Sequence, residues 1–434
     1  MAWDFRTDPD FQQKLDWADT FVREEIEALD LVWPFPNNYK PLTLERRKVV
    51  APLKQQVRDR DLWACHLGPD LGGKGYGQVR LALLNEILGR STWAPVIFGT
   101  QAPDTGNAEI LAHYGTQDQK DKYLQPLLDG EIFSSYSMTE PQAGADPAMF
   151  ETRAVRDGDE WVINGWKFFS SNARWAEFLI VMAFTDPDAG PYRGMSMFLV
   201  PTGTPGVNIV RNVGLMGEPE AEGSHALIHY EDARIPAENL LGEEGGAFAV
   251  AQTRLGGGRV HHAMRTVGVA QRALDMMCER ALSRHTKGSV LADKQLVQQH
   301  IADSYSQLQQ FRLFVLYVAW QIDEYHDYKR VRKDIAAIKV LTPGVVHDIV
   351  QRSMQVHGAL GLSNEMPLGT MWMHAPVMAV ADGPTEVHMV TVAREVLKGY
   401  KPGDGLWPSE HLPTRLAAAR AKIAAALELE VGNL

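Results

Sequence analysis

The sequence has 434 residues, more than a single hydrophobic core usually holds, and this length predicts two or three domains. The formal net charge of −11 argues against a nucleic-acid-binding surface. Cys65 and Cys278 stand far apart and in no CxxC pattern, so we expect no disulfide framework, no metal site and a reducing, cytoplasmic location. The most apolar run, at 311–320, is too short to span a bilayer, and the first residues resemble no signal peptide, so we predict no membrane span.

The first part of the chain has a helical pattern. Apolar residues spaced by three and four over residues 8–31 predict an amphipathic helix that Pro34 and Pro36 end. Further helices are predicted at 44–60, 77–91, 107–112 and 116–128. The glycine-rich link at 68–75 lacks the spacing of a phosphate-binding loop and is interpreted as a connector. These segments predict an N-terminal helical domain at residues 1–130.

After Gly130 the apolar residues alternate, which is typical of strands. Segments 152–155 and 161–169 predict a hairpin around Asp157-Gly158, a pair that suits a tight turn. Further strands are predicted at 178–184, 195–200, 207–213 and 225–230, with an acidic loop at 217–223. We therefore expect a middle β-barrel-like domain at residues 131–243.

The helical pattern then returns and continues. Long apolar stripes predict helices around 267–281, 301–322 and 387–397, and another after an interruption at Pro343-Gly344. Long amphipathic helices pack best on one another, so a C-terminal helical bundle is expected at residues 244–402. The tail, residues 403–434, contains a separate alanine-rich helix at 414–430.

One stretch, FSSYSMTEPQAGADP at 133–147, has unusual local chemistry. Its strand pattern from Tyr136 to Thr139 breaks at Glu140-Pro141, because proline lacks an amide donor. The amides and hydroxyl exposed there can grip a polar ring edge or a phosphate. On local chemistry alone, a strand that ends in an Asx-type turn is the favoured interpretation of the stretch.

The run from Tyr136 to Asp146 closely resembles the first signature of the acyl-CoA dehydrogenase family, flavoenzymes that desaturate fatty acyl thioesters. Further matches follow in the family's order at 164–171, 284–288 with Gln295, 355–358 and 381–386. The runs 102–106, 254–262 and Asp382-Gly-Pro are similar to the branch of human family members ten and eleven. The resemblance implies an α+β acyl-CoA dehydrogenase fold: an N-terminal helical domain, a middle β-domain, and a C-terminal four-helix bundle.

The resemblance also implies FAD as the cofactor. Thr139 and Ser171 are expected by the reactive edge of the flavin. Phe169 stands where many relatives have a tryptophan against the flavin ring, and an ordinary core aromatic explains it equally well. The remaining implied cofactor-binding residues are Tyr136, Met138, Gly144, Ala145, Arg284, Thr286, Gln295, Gln355, Gly358 and Thr385. Because the segments 284–295 and 355–358 resemble ones that complete the FAD site of a neighbouring subunit, a homodimer or homotetramer is expected.

Three residues depart from the family pattern. Ala145 stands where a serine usually contacts the cofactor phosphate, which leaves backbone amides to serve there. Lys287 replaces a common aromatic, and either a contact to pyrophosphate or a solvated side chain would explain it. Ala359 replaces a second glycine and is expected to crowd the approach to a neighbour's adenosine.

The catalytic base implied by the resemblance is Asp382. Glu386 is the competing carboxylate, but it lies inside a predicted helix, where an acidic residue in the first turn favours the helix dipole. Arg259 corresponds to a buried arginine near the base, and the substrate-binding residues implied are Ala145, Arg259 and Gly383. Burial under a bound thioester is expected to raise the pKa of Asp382.

His261 and His262 are candidates for a general base or for metal ligands. Adjacent histidines project differently from a helix, and no acidic partner accompanies them in sequence, so structural roles are expected.

Together these residues predict an FAD-dependent acyl-CoA dehydrogenase that passes electrons to an electron-transferring flavoprotein. A flavin oxidase of the same superfamily, such as a nitroalkane oxidase, is the alternative enzyme, since it also uses an aspartate base. A flavin-free helical scaffold without activity is an alternative of another class. Retention of Thr139, Ser171, Arg284 and Asp382 argues against the scaffold.

Overall fold

The computed structural model describes residues 5–35, 38, 40–216, 218 and 222–431. Pro36 and part of the acidic loop predicted at 217–223 lie outside the described residues. The N-terminal helices are α1 (Pro9–Phe21), α2 (Glu27–Val32), α3 (Leu44–Asp59), α4 (Gln78–Leu88), α5 (Ala94–Ile97), α6 (Asp104–Tyr114), α7 (Gln117–Gln119) and α8 (Gln125–Leu128), with π turns at Val22–Ile26 and Lys120–Leu124. Within the described parts of the chain, no helix is long and apolar enough to cross a membrane.

Helix α1 shows how the sequence defines an element of this part. The Asp8 side chain accepts a hydrogen bond of 2.9 Å from the Phe11 amide, and Pro9 occupies the first turn, where its missing N–H is not needed. The apolar stripe then buries Phe11, Leu15 and Phe21. The periodicity therefore predicts both the element and its buried face.

The centre of the chain forms one seven-stranded sheet. Its strands are β1 (Ser134–Ser137), β2 (Arg153–Asp157), β3 (Glu160–Ser171), β4 (Phe178–Phe184), β5 (Met195–Pro201), β6 (Val207–Val213) and β7 (His225–Pro236). The order is β1-β4-β2-β3-β7-β6, with β5 on β4. Strand β1 is the first strand in this order. It pairs in parallel with β4, with Tyr136 beside Ile180.

Three details of the predicted sheet were wrong. Strand β1 ends at Ser137, two residues before the predicted end at Thr139. Strand β7 runs on to Pro236, since it pairs with β3 beyond Tyr230. The hairpin turn lies one residue later than expected: Asp157 pairs with Glu160, so Gly158 and Asp159 form the turn, with Gly158 at φ 62°.

Long helices form the third part of the chain: α9 (Ala247–Ser283), α10 (Gln295–Tyr325), α11 (Tyr328–His357), α12 (Ala359–Leu362) and α13 (Leu368–Val380). A two-stranded hairpin, β8 (His285–Thr286) with β9 (Ser289–Val290), joins α9 to α10. Helix α11 packs against α9, α10 and α13, and the four helices share one core. This arrangement is the expected helical bundle.

The interruption predicted at Pro343-Gly344 was wrong, since α11 continues through both residues. Proline removes only one helical hydrogen bond, the one to the carbonyl of residue 339. Val345 and Val346 are buried on one side of the proline and Ile338 on the other, so core packing maintains the helix.

The described residues divide into two compact units between Met389 and Val390. Helix α14 (Thr385–Leu397) spans this limit. The second unit contains α15 (Leu412–Val431), which extends the predicted tail helix by about two residues at its start. Its described side chains up to residue 427 are exposed. The domain limits at 130, 243 and 402 stay predictions.

Candidate active site

Asp382 lies in the short loop between α13 and α14, in a conformation that residues other than glycine rarely adopt. Its φ is +55°, and that of Gly383 is +105°. The Asp382 carbonyl accepts hydrogen bonds from Arg259 Nε at 3.0 Å and His388 Nε2 at 3.2 Å. Backbone strain of this kind persists only where the surroundings hold it. Arg259 therefore contacts the loop backbone, and its positive charge also lowers the pKa of Asp382.

Two side chains of α9 face the Asp382 carboxylate. His262 Nε2 lies 3.2 Å from Oδ2, and Arg254 Nη1 lies 3.9 Å from Oδ1. The side chain is only 16% exposed. Burial alone would raise the pKa of Asp382, but the His262 hydrogen bond and the charges of His262, Arg254 and Arg259 outweigh it and hold the pKa below its ordinary value. The carboxylate is therefore ionised and available as a proton acceptor.

Glu386, the competing carboxylate, lies one turn further on in α14 and is exposed. An exposed carboxylate is hydrated, and water competes with a substrate for its lone pairs. The geometry therefore favours Asp382 as the base.

Three consecutive glycines of α9 let other side chains approach the helix backbone. A Cβ added to Gly258 would lie 2.8 Å from Asp382 Oδ2, and one added to Gly257 would lie 2.6 Å from Glu109 Oε2. At Gly256 it would lie 3.3 Å from the ring of Tyr328. The glycines thus make room for two carboxyl groups against one helix, at the expense of helix propensity.

Arg254 links the loop of Asp382 to the first signature motif. Its guanidinium carbon lies 3.9 Å from the centre of the Tyr136 ring, and its Nε donates to Asn107 Oδ1 at 2.8 Å. The Tyr136 hydroxyl is buried and has no hydrogen-bond partner among the described residues. Such a hydroxyl is suited to a ligand that is bound beside it.

The first two motifs form one rigid unit. Phe168 donates its amide to the Thr139 carbonyl at 2.8 Å, and Lys167 Nζ donates to the Met138 carbonyl at 2.8 Å and to Glu140 Oε1 at 2.7 Å. Lys167 and Glu140 are buried almost completely. A buried ion pair with additional hydrogen bonds fixes its geometry, so Met138 and Thr139 are held in place.

Phe169 and Ser171 lie at the end of β3, close to this unit. Phe169 has φ +56°, stacks on Phe168 with ring centres 4.1 Å apart, and leaves 46% of its surface exposed. Ser171 is half-buried and pairs with His225 of β7. An exposed aromatic face beside half-buried hydroxyls is a surface on which a flat, polar-edged ring packs well.

These residues fit a flavin. The unpaired Tyr136 hydroxyl, the exposed face of Phe169 and the half-buried Thr139 and Ser171 offer both an apolar face and polar contacts. Gly144 and Ala145 are exposed in the turn, so a phosphate group would have access to their backbone. Ala145 adds no hydroxyl, as the sequence predicts.

The other predicted cofactor residues lie elsewhere. Arg284, Thr286, Gln295, Gln355 and Gly358 are exposed, and none of the contacts found in the described chain joins them to Asp382 or Thr139. Lys287 also lies there, at φ +46° in the β8–β9 turn, and Ala359 opens α12. Thr385 is closer to the base, since its Oγ1 donates to the Ala379 carbonyl at 3.2 Å. The cross-subunit roles stay predictions.

Sequence reasoning missed Arg254 and Glu109, and it favoured a structural role for His262. His262 was expected to be structural because it has no acidic neighbour in sequence, but its partner comes from a loop 120 residues away. The spacing of Arg254, Gly258 and His262, four residues apart each time, places them on one face of α9 and was the available signal. His261 is buried, as expected for a structural residue.

Lys339 also escaped prediction. Its side chain is fully buried below the Asp382 loop, and its Nζ donates to the Met378 carbonyl near the end of α13. Burial lowers its pKa to about 8, although the Asp382 charge opposes the shift. Lys339 therefore places a donor at the C-terminal end of α13, where carbonyls lack helical partners.

Comparison with known proteins places this site in a family. Family models match residues 10–131 (acyl-CoA dehydrogenase, N-terminal domain), 135–232 (middle domain) and 245–397 (C-terminal domain). A Mycobacterium tuberculosis protein named "Probable acyl-CoA dehydrogenase FadE2" is 44% identical over 81% of this chain and 86% of its own length.

Human acyl-CoA dehydrogenase family member 11 is 40% identical over 83% of this chain, which spans 45% of that longer protein. The solved structure of a Mycobacterium abscessus protein assigned to the acyl-CoA dehydrogenases matches with a TM-score of 0.83 and 36% identity over 91% of this chain and 100% of that one. These matches confirm the expected fold and the resemblance to the branch of members ten and eleven. The chain belongs to the acyl-CoA dehydrogenase family of flavoprotein oxidoreductases.

Proposed function

We propose that this chain is an FAD-dependent acyl-CoA dehydrogenase that desaturates an acyl-CoA thioester between Cα and Cβ. The observation that carries the proposal is the ionised Asp382 carboxylate, buried against Gly258 of α9 and linked through Arg254 to the Tyr136 motif. A buried carboxylate beside a flavin-binding motif is what removal of a weakly acidic α-proton requires.

Asp382 abstracts the α-proton of the thioester. The Cα–H bond breaks, its proton bonds to a carboxylate oxygen, and its electron pair moves toward the thioester carbonyl. Arg254 stays cationic throughout and offsets the negative charge that spreads over the substrate. Arg259 and His388 hold the loop backbone, so the carboxylate keeps its position while its charge changes.

Thr139, Ser171, Phe169 and the Tyr136 hydroxyl would hold the flavin ring, and the turn at Gly144-Ala145 would face a phosphate. FAD, when bound, accepts the hydride from Cβ. Lys167 and Glu140 are buried and hold Met138 in place beside the residues that would contact the ring. We further propose that an electron-transferring flavoprotein reoxidises the enzyme.

Two variants test the base. Asp382→Asn preserves side-chain volume but cannot accept a proton at its neutral amide, so we expect FAD reduction by acyl-CoA to slow by ~10²–10⁴-fold or more. Glu386→Gln should retain a near wild-type rate. Anaerobic stopped-flow bleaching of the flavin, after both variants are shown to retain FAD and substrate binding, measures these rates.

The opposite order of rates would make Glu386 the base. A protein without a flavin absorption band would be the inactive scaffold. Rapid peroxide release at each turnover, or turnover of nitroalkanes, would assign the chain to the flavin oxidases. A screen of acyl-CoA thioesters of different lengths against an artificial electron acceptor identifies the substrate class.

A further inference from the structure

Of the two basic side chains paired with the Asp382 carboxylate in the described chain, His262 is the closer. Its Nε2 lies 3.2 Å from Oδ2, within hydrogen-bond distance. Arg254 Nη1, at 3.9 Å from Oδ1, lies beyond that distance and cannot lose its proton. The two carboxylate oxygens thus have different neighbours, His262 beside Oδ2 and the more distant Arg254 beside Oδ1.

We propose that His262 is a positioning residue for the base, one that holds Oδ2 through its Nε2–H and whose charge sets the basicity of the carboxylate. The inference rests on the proposed function. A positively charged imidazole beside Asp382 stabilises the carboxylate and weakens it as a base, whereas a neutral imidazole still donates through Nε2–H and leaves a stronger base. Proton abstraction is therefore faster when His262 is neutral.

Other titratable or charged groups also face this pair. They are Arg254, Arg259 and His261 of α9, Tyr136 of β1, Lys339 of α11, His388 of α14, Glu109 of α6 beyond Arg254, and His66 beyond His261. Arg254 and Arg259 stay charged, and burial raises the pKa of Tyr136 to about 12. His261 does not touch the carboxylate, and His388 contacts the Asp382 carbonyl. Burial lowers the pKa of Lys339 to about 8 and raises that of Glu109 to about 7, so both also titrate in this range. The loss of a pH step on replacement of His262 is therefore what assigns the step to His262.

The test compares two replacements of His262 in the FAD-loaded enzyme. The amide of His262→Gln can donate where Nε2 does but does not titrate, whereas His262→Leu does neither. Anaerobic flavin reduction by acyl-CoA is measured between pH 6 and 9. The wild type should accelerate roughly tenfold or more over this range, since one pKa unit of the base corresponds to about tenfold. His262→Gln should lose this step and keep a rate close to the wild-type maximum.

His262→Leu should be at least about tenfold slower at every pH, because the carboxylate is no longer held. His261→Gln, the adjacent control, should keep the pH step. A wild-type pH profile in His262→Gln, or a wild-type rate in His262→Leu, overturns the proposal.

A measurement that needs no turnover separates this proposal from the proposed function. Nitrogen-15 spectra of histidine-labelled protein, with His262 assigned from the His262→Gln spectrum, report which ring nitrogen carries the proton. We expect a proton on Nε2, and a changed Nε2 signal in Asp382→Asn. An unprotonated Nε2, or an Nε2 signal that is the same in Asp382→Asn, overturns the proposal whether or not an acyl-CoA reduces the flavin. Failure of acyl-CoA to reduce the flavin, with Nε2 protonated and responsive, contradicts only the desaturase function.

Discussion

Glu109 is a second carboxyl group packed against α9, and its chemistry differs from that of Asp382. Burial raises the pKa of Glu109 to about 7, and the charge of Arg254 opposes the shift only in part. Asp382 has a hydrogen bond from His262 and two arginines nearby, so its pKa moves in the opposite direction. The two carboxyl groups lie against adjacent glycines of one helix, yet their pKa values shift in opposite directions. At neutral pH only Asp382 is fully ionised.

This difference predicts a pH-dependent stability. Between pH 4.5 and about 7 the unfolded chain has released the Glu109 proton while the folded chain retains it, so Glu109 destabilises the fold as pH rises through this window. The effect is on the order of 3 kcal/mol at most. Glu109→Gln removes it, so we expect the variant to gain Tm over the wild type at pH 8 and to gain little at pH 5.

Thermal unfolding of the two proteins at both pH values measures the difference. Glu386→Gln, an exposed carboxyl in the same compact unit, serves as the control and should leave the pH dependence of Tm unchanged. An equal Tm difference at pH 5 and pH 8 would mean that Glu109 is ionised in the folded protein.

At the scale of residues, the sequence indicates which residues form the candidate site better than it predicts their conformations and contacts. Asp382, Thr139 and Phe169 follow from motif matches, but the positive φ of Phe169 and Asp382 does not. The contact between Arg259 and the Asp382 carbonyl joins residues 123 positions apart. Such contacts depend on how α9 meets a loop from another helix, and local spacing carries no information about that.

At the scale of elements, the buried pair Lys167–Glu140 joins β3 to the end of β1. Glu140 also accepts hydrogen bonds from the amides of Glu151 and Thr152, at 2.6 and 3.1 Å. The pair therefore ties together both signature motifs and the segment that leads into β2. Each motif supplies one residue of the pair, but neither motif alone indicates that the two residues are in contact.

Lys167→Met should break this connection. It leaves the Glu140 carboxylate buried without its cation, which typically destabilises a protein by about 3–5 kcal/mol. Because Lys167 also holds the Met138 carbonyl, we expect the variant to lose FAD during gel filtration as well as stability. Arg234→Met removes a cation from the exposed pair with Asp157 in the same sheet, and should change stability far less than Lys167→Met, because water screens that pair.

Denaturant unfolding and the ratio of flavin to protein absorbance measure both effects. If Lys167→Met retains FAD and has the same unfolding midpoint as Arg234→Met, the Lys167–Glu140 pair does not hold the motif in place.

Periodicity predicts most helices and strands within a few residues, and it is wrong where packing overrides local preference. Pro343 is the clearest case. Burial of the surface around Val345 and Ile338 stabilises a continuous α11 by more than the loss of one hydrogen bond at the proline destabilises it. Strand β7 is longer than predicted for a similar reason, since β3 offers it pairing partners as far as Glu160.

At the scale of the whole molecule, the predicted FAD contacts fall into two groups on one chain. Tyr136 and Asp382 are linked through Arg254, whereas Arg284 and Gln355 are exposed, and no contact found in the described chain joins them to Asp382. A cofactor that needs both groups would be bound between two copies of the chain. This arrangement motivates our proposal of a homodimer or homotetramer.

Mixing two inactive variants tests this shared site. We expect Asp382→Asn to bind FAD without reducing it, and Arg284→Glu to lose FAD through repulsion of the pyrophosphate. If Arg284 serves a neighbour, a mixed dimer has one site with both wild-type residues, Asp382 from one copy and Arg284 from the other. Unfolding and refolding an equimolar mixture with FAD should then restore about a quarter of the wild-type sites, because half of the dimers are mixed and each has one intact site.

If Arg284 serves its own chain, every site in the mixture carries a defect. Acyl-CoA-dependent flavin bleaching in the mixture, compared with each variant refolded alone, distinguishes the two, and absence of any recovery would contradict a site shared between subunits.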